Sequence, residues 1–256
     1  MSNFVTDAIN LKSYNLSEAD KIIVMYSKDK GLIKGVAKGG KKTSSKLGGR
    51  MDMLVANKLM LYKGKNLDTI CQAEAINTFI NLRQDMDKLF YSIYCAEIVS
   101  NFGAENDPNS EEIYSLFYGA LQGIAKSATK EEILISVIKF QLKIMHICGY
   151  SLELDNCVKC GCKVNDDEIY FSCDQGGVIC KDCRSSSIKS FKLHYKINDF
   201  LKALFKNDFA VSSRYEELAT ERICDFCFSF IKDYIEFYSP KKFKTTKILQ
   251  TTQKGA

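Results

Sequence analysis

The chain has 256 residues, 46% hydrophobic and 26% charged, enough for one large domain or two to three small ones of ordinary globular composition. No apolar run approaches the roughly 18–20 residues that crossing a bilayer requires, so no membrane role is expected. The net charge of +5 is uneven: residues 1–77 hold 13 Lys/Arg against 7 Asp/Glu and residues 191–256 hold 12 against 8, around a mildly acidic middle.

Residues 1–77 read as five short strands: Phe4–Leu11, Lys21–Ser27, Gly31–Lys38, Asp52–Tyr62 and Leu67–Ile76, rich in Val, Ile, Leu, Met and Tyr. Lys28–Gly31 and Lys63–Asn66 between them have the length and chemistry of hairpin turns. Five strands without a helical pattern predict a small closed barrel, and five is the strand count of the OB-fold.

Between Lys28 and Arg50 stand eight basic residues opposed only by Asp29. The centre of this run is Lys38-Gly39-Gly40-Lys41-Lys42, continued by Ser45-Lys46-Leu47-Gly48-Gly49-Arg50. Glycine lets backbone approach a ligand closely, and Ser and Thr hydroxyls can donate to phosphate oxygens. The frame of a nucleotide P-loop is absent, so the pattern suits binding along a phosphate backbone. If six phosphates were neutralised, affinity for single strands would fall with salt at a log–log slope of about −4. The plain alternative is a loop of solvated lysines.

The period then changes. Leu89, Ile93, Ala96, Ile98 and Phe102 predict a helix ending near Gly103, and Ser110 is expected to cap a second through Ile124. Thr129 and Glu132 form a capping box before Ile133–Cys148, with Gly149 as the stop. Ile197–Phe205 and Tyr215–Tyr238 read as further helices, the last ended by Pro240. Lys241, Lys242, Lys244 and Lys247 beyond it form either a second basic run or a frayed tail.

Two Cys-x-x-Cys pairs, Cys157/Cys160 and Cys180/Cys183, stand 19 residues apart. That separation lies within the about 15–20 residues typical of zinc sites. Four thiolates close a tetrahedron and leave no position for water, so a single structural Zn2+ is expected, and not a catalytic one. Cys162 and Cys173 are alternative ligands by type, but the paired spacing favours the four named. A third pair, Cys224 and Cys227, falls on one face of a helical pattern and reads as core, as do Cys71, Cys95 and Cys148. Eleven cysteines is an odd count, and Met1–Leu11 has no leader pattern, so a reducing cytoplasm is expected.

Catalytic candidates are poor. His146 lies in an apolar helix and reads as a packed residue, His194 adjoins Tyr195, and no nucleophile elbow, metal-binding His helix or paired carboxylate appears. A non-enzyme is expected. The fold class is therefore α+β: a five-stranded OB-fold barrel over residues 1–77, then an all-α domain over 78–256 with a zinc module inserted at 153–190.

In this order of parts the chain resembles the RecO family of bacterial recombination mediators, along essentially its whole length. The likeness is carried by Val36-Ala37-Lys38-Gly39-Gly40-Lys41-Lys42 through Gly49, by Tyr62-Lys63-Gly64-Lys65-Asn66-Leu67 with Ala73-Glu74, and by Phe171-Ser172-Cys173 with Gly176-Gly177-Val178-Ile179-Cys180. The resemblance implies DNA repair and recombination: binding of single- and double-stranded DNA, annealing of complementary strands, and loading of RecA with RecR onto strands coated by single-strand-binding protein, whose acidic C-terminal tail is a further partner. It places DNA contacts at Lys38, Lys41, Lys42, Lys46 and Arg50 and zinc at Cys157, Cys160, Cys180 and Cys183, and it implies a cytoplasmic, nucleoid-associated protein. Lysine stands here where the family often has arginine, which weakens the expectation of bidentate phosphate contacts. A zinc-stabilised protein-interaction scaffold without DNA binding is the alternative. An enzyme acting on nucleic acid would need metal-binding carboxylates or a histidine base.

Overall fold

The computed structural model describes residues 3–42, 45, 47–164, 168–206 and 216–245. These form two compact units, one containing the described residues up to Lys126 together with Phe243–Thr245, the other Ser127–Lys242.

The first unit begins with β1 (Asn3–Asn15), β2 (Lys21–Ser27), β3 (Gly31–Ala37), β4 (Ala56–Tyr62) and β5 (Asp68–Asn77). β1 pairs antiparallel with both β2 and β4, and a register shift between Asn10 and Lys12 lets one long strand serve two partners. β2 pairs with β3, β4 with β5, and β3 meets β5 in a short parallel contact, so the hydrogen-bonded order β1-β2-β3-β5-β4 returns to β1. At the β3–β5 crossing Gly35 is required, because a Cβ there would lie 2.8 Å from Ile70 Cγ1. The inward residues are Ala8, Ile23, Met25, Ile33, Ala37, Leu59, Leu61 and Ile70, plugged by Met51 from the long β3–β4 connection. Strand alternation supplies this core.

The expected strand Asp52–Tyr62 starts only at Ala56. The apolar residues before it belong to the connection instead, where Leu54 is held at φ +66.

α1 (Met86–Phe102) and α2 (Ser110–Lys126) belong to the same unit. Asp85 caps α1 by accepting from Lys88 N, whereas Ser110, expected as a cap, is the first helical residue of α2. The α1–α2 connection packs on the β2–β3 hairpin, where Leu32 N donates to Ala104 O at 2.9 Å and Tyr26 Oη bonds Asp107 at 3.0 Å. Gly31 sits there at φ +67, and a Cβ on it would lie 2.3 Å from Ala104 O.

The second unit contains α3 (Lys130–Ile147), α4 (Tyr195–Lys206) and α5 (Glu221–Tyr238). Thr129 caps α3 through Glu132 N, while the Glu132 carboxylate reaches Ala128 N and not Thr129 N. The expected helix from Tyr215 begins later. Tyr215 lies outside the described residues, Glu216–Leu218 form a 3-10 turn, and α5 starts after Thr220.

This unit is not all-α. β6 (Ile169–Ser172), β7 (Gly177–Cys180) and β8 (Phe191–Leu193) form an antiparallel sheet in the order β7-β6-β8, with Phe171 at ring distances of 4.7 to 5.9 Å from Phe230, Tyr234 and Phe191. Cys224 and Cys227 are fully buried on α5, as their helical phase predicts, and burial pushes their thiols up to about 11 and about 12. Cys95 is likewise buried, but Cys148 is only half-buried and Cys71, on the outward side of β5, is exposed. No helix among the described residues is long and apolar enough to cross a membrane.

Candidate nucleic-acid interface and metal centre

The basic connection between β3 and β4 leaves the sheet through consecutive tight turns. Gly39, at φ +66, permits the first, after which Gly40 N donates to Ala37 O and Lys42 N to Gly39 O. Two bonds tie this start to the β1–β2 loop, from Lys41 N to Ala19 O at 3.0 Å and from Gly39 N to Asp20 Oδ1 at 2.8 Å. The far end is tied to the core. Met51 is buried, and the side-chain amides of Asn10 and Asn57 both donate to Arg50 O at 2.8 Å. Anchored at both ends, the segment presents Lys38, Lys42 and Arg50 as exposed side chains.

The expected residues are not equivalent. Lys41 is half-buried and its Nζ donates to Ser17 O at 2.7 Å, so it braces the loop. Lys46 lies outside the described residues. Lys28, at the start of the basic run, is paired with Glu111 at 3.0 Å, and that partner raises its pKa. Two further groups of lysines lie outside the expected contact set, although Lys30 and Lys34 belong to the basic run. Lys58 shares a groove with Arg50, Gln72 and Glu74, and Lys30, Lys34 and Lys63 line a second cleft where Lys30 Nζ stands 4.0 Å over the Phe4 ring.

In the other unit Cys157, Cys160, Cys180 and Cys183 converge, with all four sulfurs within 4.8 Å of one another. Cys157–Cys160 form one knuckle, closed by Gly161 N donating to Cys157 O at 2.8 Å with Gly161 at φ +74. Cys180 ends β7 and Cys183 ends the 3-10 turn that follows. Four thiolates about 2.3 Å from a central ion stand about 3.8 Å apart, and the Cys160–Cys180 sulfur distance is 3.8 Å. Burial disfavours the Cys157 thiolate, but the N–H groups of Cys180, Cys160 and Lys159 outweigh it and bring the pKa down to about 6. Cys180 N lies 3.4 Å from that sulfur. The donor set, the sulfur spacing and the N–H bonds all fit a metal ion.

Cys162 and Cys173 are outside this group. Cys160 Sγ donates to Cys162 Sγ at 3.2 Å, and contact with Cys160 is the main cause that pushes the Cys162 thiol up to about 12. Cys173 is half-buried, and desolvation raises it. His146 is exposed, contrary to the packed position expected from its helix. It lies edge-on to Phe205 and bonds Ser151 at 3.2 Å.

Residues 1–79 match the family described as Recombination protein O N terminal, and residues 83–247 match Recombination protein O C terminal. The chain belongs to the RecO family. Among curated relatives, the DNA repair protein RecO of Desulforamulus reducens is 33% identical over 258 residues, spanning 100% of this chain and 97% of its own length. Those of Dehalococcoides mccartyi and Acetivibrio thermocellus are 32% and 31% identical, covering 72% and 75% of this chain and 71% and 75% of their own. RecO membership gives the chain a role in DNA repair and recombination. The two RecO matches divide at the turn after β5, whereas contacts group α1 and α2 with the sheet.

Proposed function

We propose that the chain is a DNA-binding recombination mediator whose N-terminal sheet is an OB-fold barrel and whose basic β3–β4 connection grips sugar–phosphate backbones. The observation that carries the reading is the presentation of Lys38, Lys42 and Arg50, exposed, on a segment tied to the β1–β2 loop at its start and to the sheet core at its far end. Fixed cations lose little freedom on meeting phosphate, and contacts to backbone oxygens read no sequence. Such a surface takes both single and double strands. Screening the charge of two strands at once favours their annealing.

Lys46 completes the basic set in this reading, with Lys41 as its brace. The four cysteines hold one Zn2+ that fixes the β6–β7 hairpin to the Cys157 knuckle and performs no chemistry. The protein works by binding and not by catalysis, in the cytoplasm at the nucleoid. With RecR it helps load RecA onto strands coated by single-strand-binding protein, whose acidic C-terminal tail it also binds. Support for these partners is the family alone. In this reading the sheet at residues 1–77 forms the nucleic-acid-binding domain, and residues 78–256 form the helical domain carrying the metal module.

The test is fluorescence anisotropy with labelled single- and double-stranded oligonucleotides at several salt concentrations. The triple variant Lys38→Glu, Lys42→Glu, Arg50→Glu should lose affinity for both and lose annealing, with the unfolding midpoint unchanged. Retained binding would return the chain to the scaffold alternative.

A further inference from the structure

The outward face of β1, β2 and β3 can be read row by row from the register. Tyr14 stands opposite Ile22, and Ile22 opposite Val36. Two residues along, Lys12 stands opposite Val24 and Val24 opposite Lys34. These residues alternate with the core positions Ile23, Met25, Ile33 and Ala37, so the two rows share the face turned away from the core. The next row, Tyr26 and Leu32, is closed by the α1–α2 connection: Tyr26 is fully buried and bonds Asp107. The face is therefore covered at one end and open at the other.

The open end has a definite character. Tyr14 is 53% exposed, a large share for an aromatic on a paired strand. Ile22 and Val36 beside it are half-buried, Lys12 and Lys34 flank them, and exposed Lys38 follows two residues beyond Val36. Neither open row contains an acidic side chain. Asp20, nearby in the β1–β2 loop, accepts from Gly39 N. The same bond, with Lys41 N on Ala19 O, puts the basic connection against the Tyr14 end of the sheet.

We propose that this face is a stacking platform for unpaired bases, with Tyr14 as the residue that selects single strands over duplex. A flat ring on a rigid strand takes the face of any base, and lysines one row away reach the phosphates of the same strand. Duplex DNA keeps its base faces stacked inside and offers Tyr14 nothing. A protein partner would use the apolar row but would leave the lysines and the adjoining basic loop without a role. This inference rests on the nucleic-acid reading above and names the form of DNA that the site prefers.

The experiment compares three probes of equal length: an oligothymidine, a strand of the same phosphates with abasic sugars, and a duplex. Tyr14→Ala should weaken oligothymidine binding by about fivefold or more, the range of one lost base stack, and leave abasic-strand and duplex binding unchanged. Tyr14→Phe should bind all three as the native chain does. Equal oligothymidine affinity of Tyr14→Ala and the native chain would overturn the platform while leaving the basic loop standing. An equal loss on all three probes would also overturn it, by showing that the residue acts on the backbone or the fold. Failure of the native chain to bind any probe would overturn this inference and the proposed function together.

Discussion

The side-chain amide of Asn10 lies 2.8 Å from the carbonyl oxygen of Arg50, forty residues away in the chain. Asn57 donates to the same oxygen from the neighbouring strand, and Asn10 also reaches Asp52 O. Both asparagines are buried, at 1% and 0% exposure, within the sheet. Their amides fix the path of backbone that carries an exposed guanidinium. Stability and the proposed DNA contact are thus linked through one carbonyl.

Removal of either amide should show this link. Asn10→Ala is expected to cost about 1–3 kcal/mol, because it leaves buried carbonyls short of a donor. Urea unfolding measures the cost. Oligonucleotide titration under native conditions should show weaker binding, since Arg50 then samples more positions. Full affinity in a destabilised Asn10→Ala protein would show that the anchoring is structural only.

If the four cysteines hold a metal ion, as proposed, ligand identity and pH dependence follow. Cys180→Ala should lose the ion, and Cys162→Ala should retain about one per chain by elemental analysis. Metal uptake must displace protons from thiols, most of all from Cys183, whose hydrogen bond to Cys160 pushes it up to about 12. Affinity should therefore rise with pH, and uptake should release protons into weakly buffered solution. Below about pH 6 the metal-free Cys157 also holds its proton, so affinity should fall more steeply with acid there. A chelator at neutral pH should unfold the β6–β7 region first, visible as faster amide exchange at Tyr170 and Ile179.

The same contrast explains what could be read from the sequence. Apolar runs and cysteine spacing are local, so the strands that carry Ile23/Met25 and Ile33/Ala37 were legible, as were the paired cysteines. The apolar run Ile22–Tyr26 does not say which of its residues face inward. Asn10 and Asn57 interrupt an apolar pattern, which signals a buried partner but not which one, and that partner arrives through the fold. Met53, Leu54 and Val55 look like strand because they are apolar, yet tertiary bonds hold them in a turn. β6 to β8 are only three or four residues long, too short for a period to declare itself. Tyr14 lies beyond the expected strand Phe4–Leu11, whereas β1 runs on to Asn15, and its exposure depends on where the α1–α2 connection ends.

Gly31 offers a test of how α1 and α2 belong with the sheet. Gly31→Ala places a methyl group 2.3 Å from Ala104 O and strains a positive φ at the same time. The backbone must move, so the hairpin and the helical connection should separate. A loss of about 2 kcal/mol or more is expected, with Tyr26 more exposed to quenchers. Gly49→Ala is the control, since nothing lies within 4 Å of the added carbon. It should leave stability nearly unchanged.

Glu97 sits at 5% exposure within α1, an acid in an apolar stripe. Its carboxylate accepts from Lys244 N and Thr245 N at 2.9 Å each and from the Thr245 hydroxyl at 2.5 Å. Phe243 is buried beside it, 5.8 Å from the Tyr94 ring. The run after Pro240 is therefore clasped and not frayed at Phe243–Thr245, although Lys241, Lys242 and Lys244 remain exposed. A buried carboxylate is tolerable only while donors surround it, so Glu97 and the clasp depend on each other. Glu97→Gln keeps the shape but turns one acceptor into a donor that faces N–H groups. It should cost about 1.5–3 kcal/mol in urea unfolding, more than Thr245→Ala, which removes one donor of three. Trypsin should also cut after Lys244 sooner in Glu97→Gln than in the native chain. Equal cleavage rates would show that the three bonds do not hold the segment in solution.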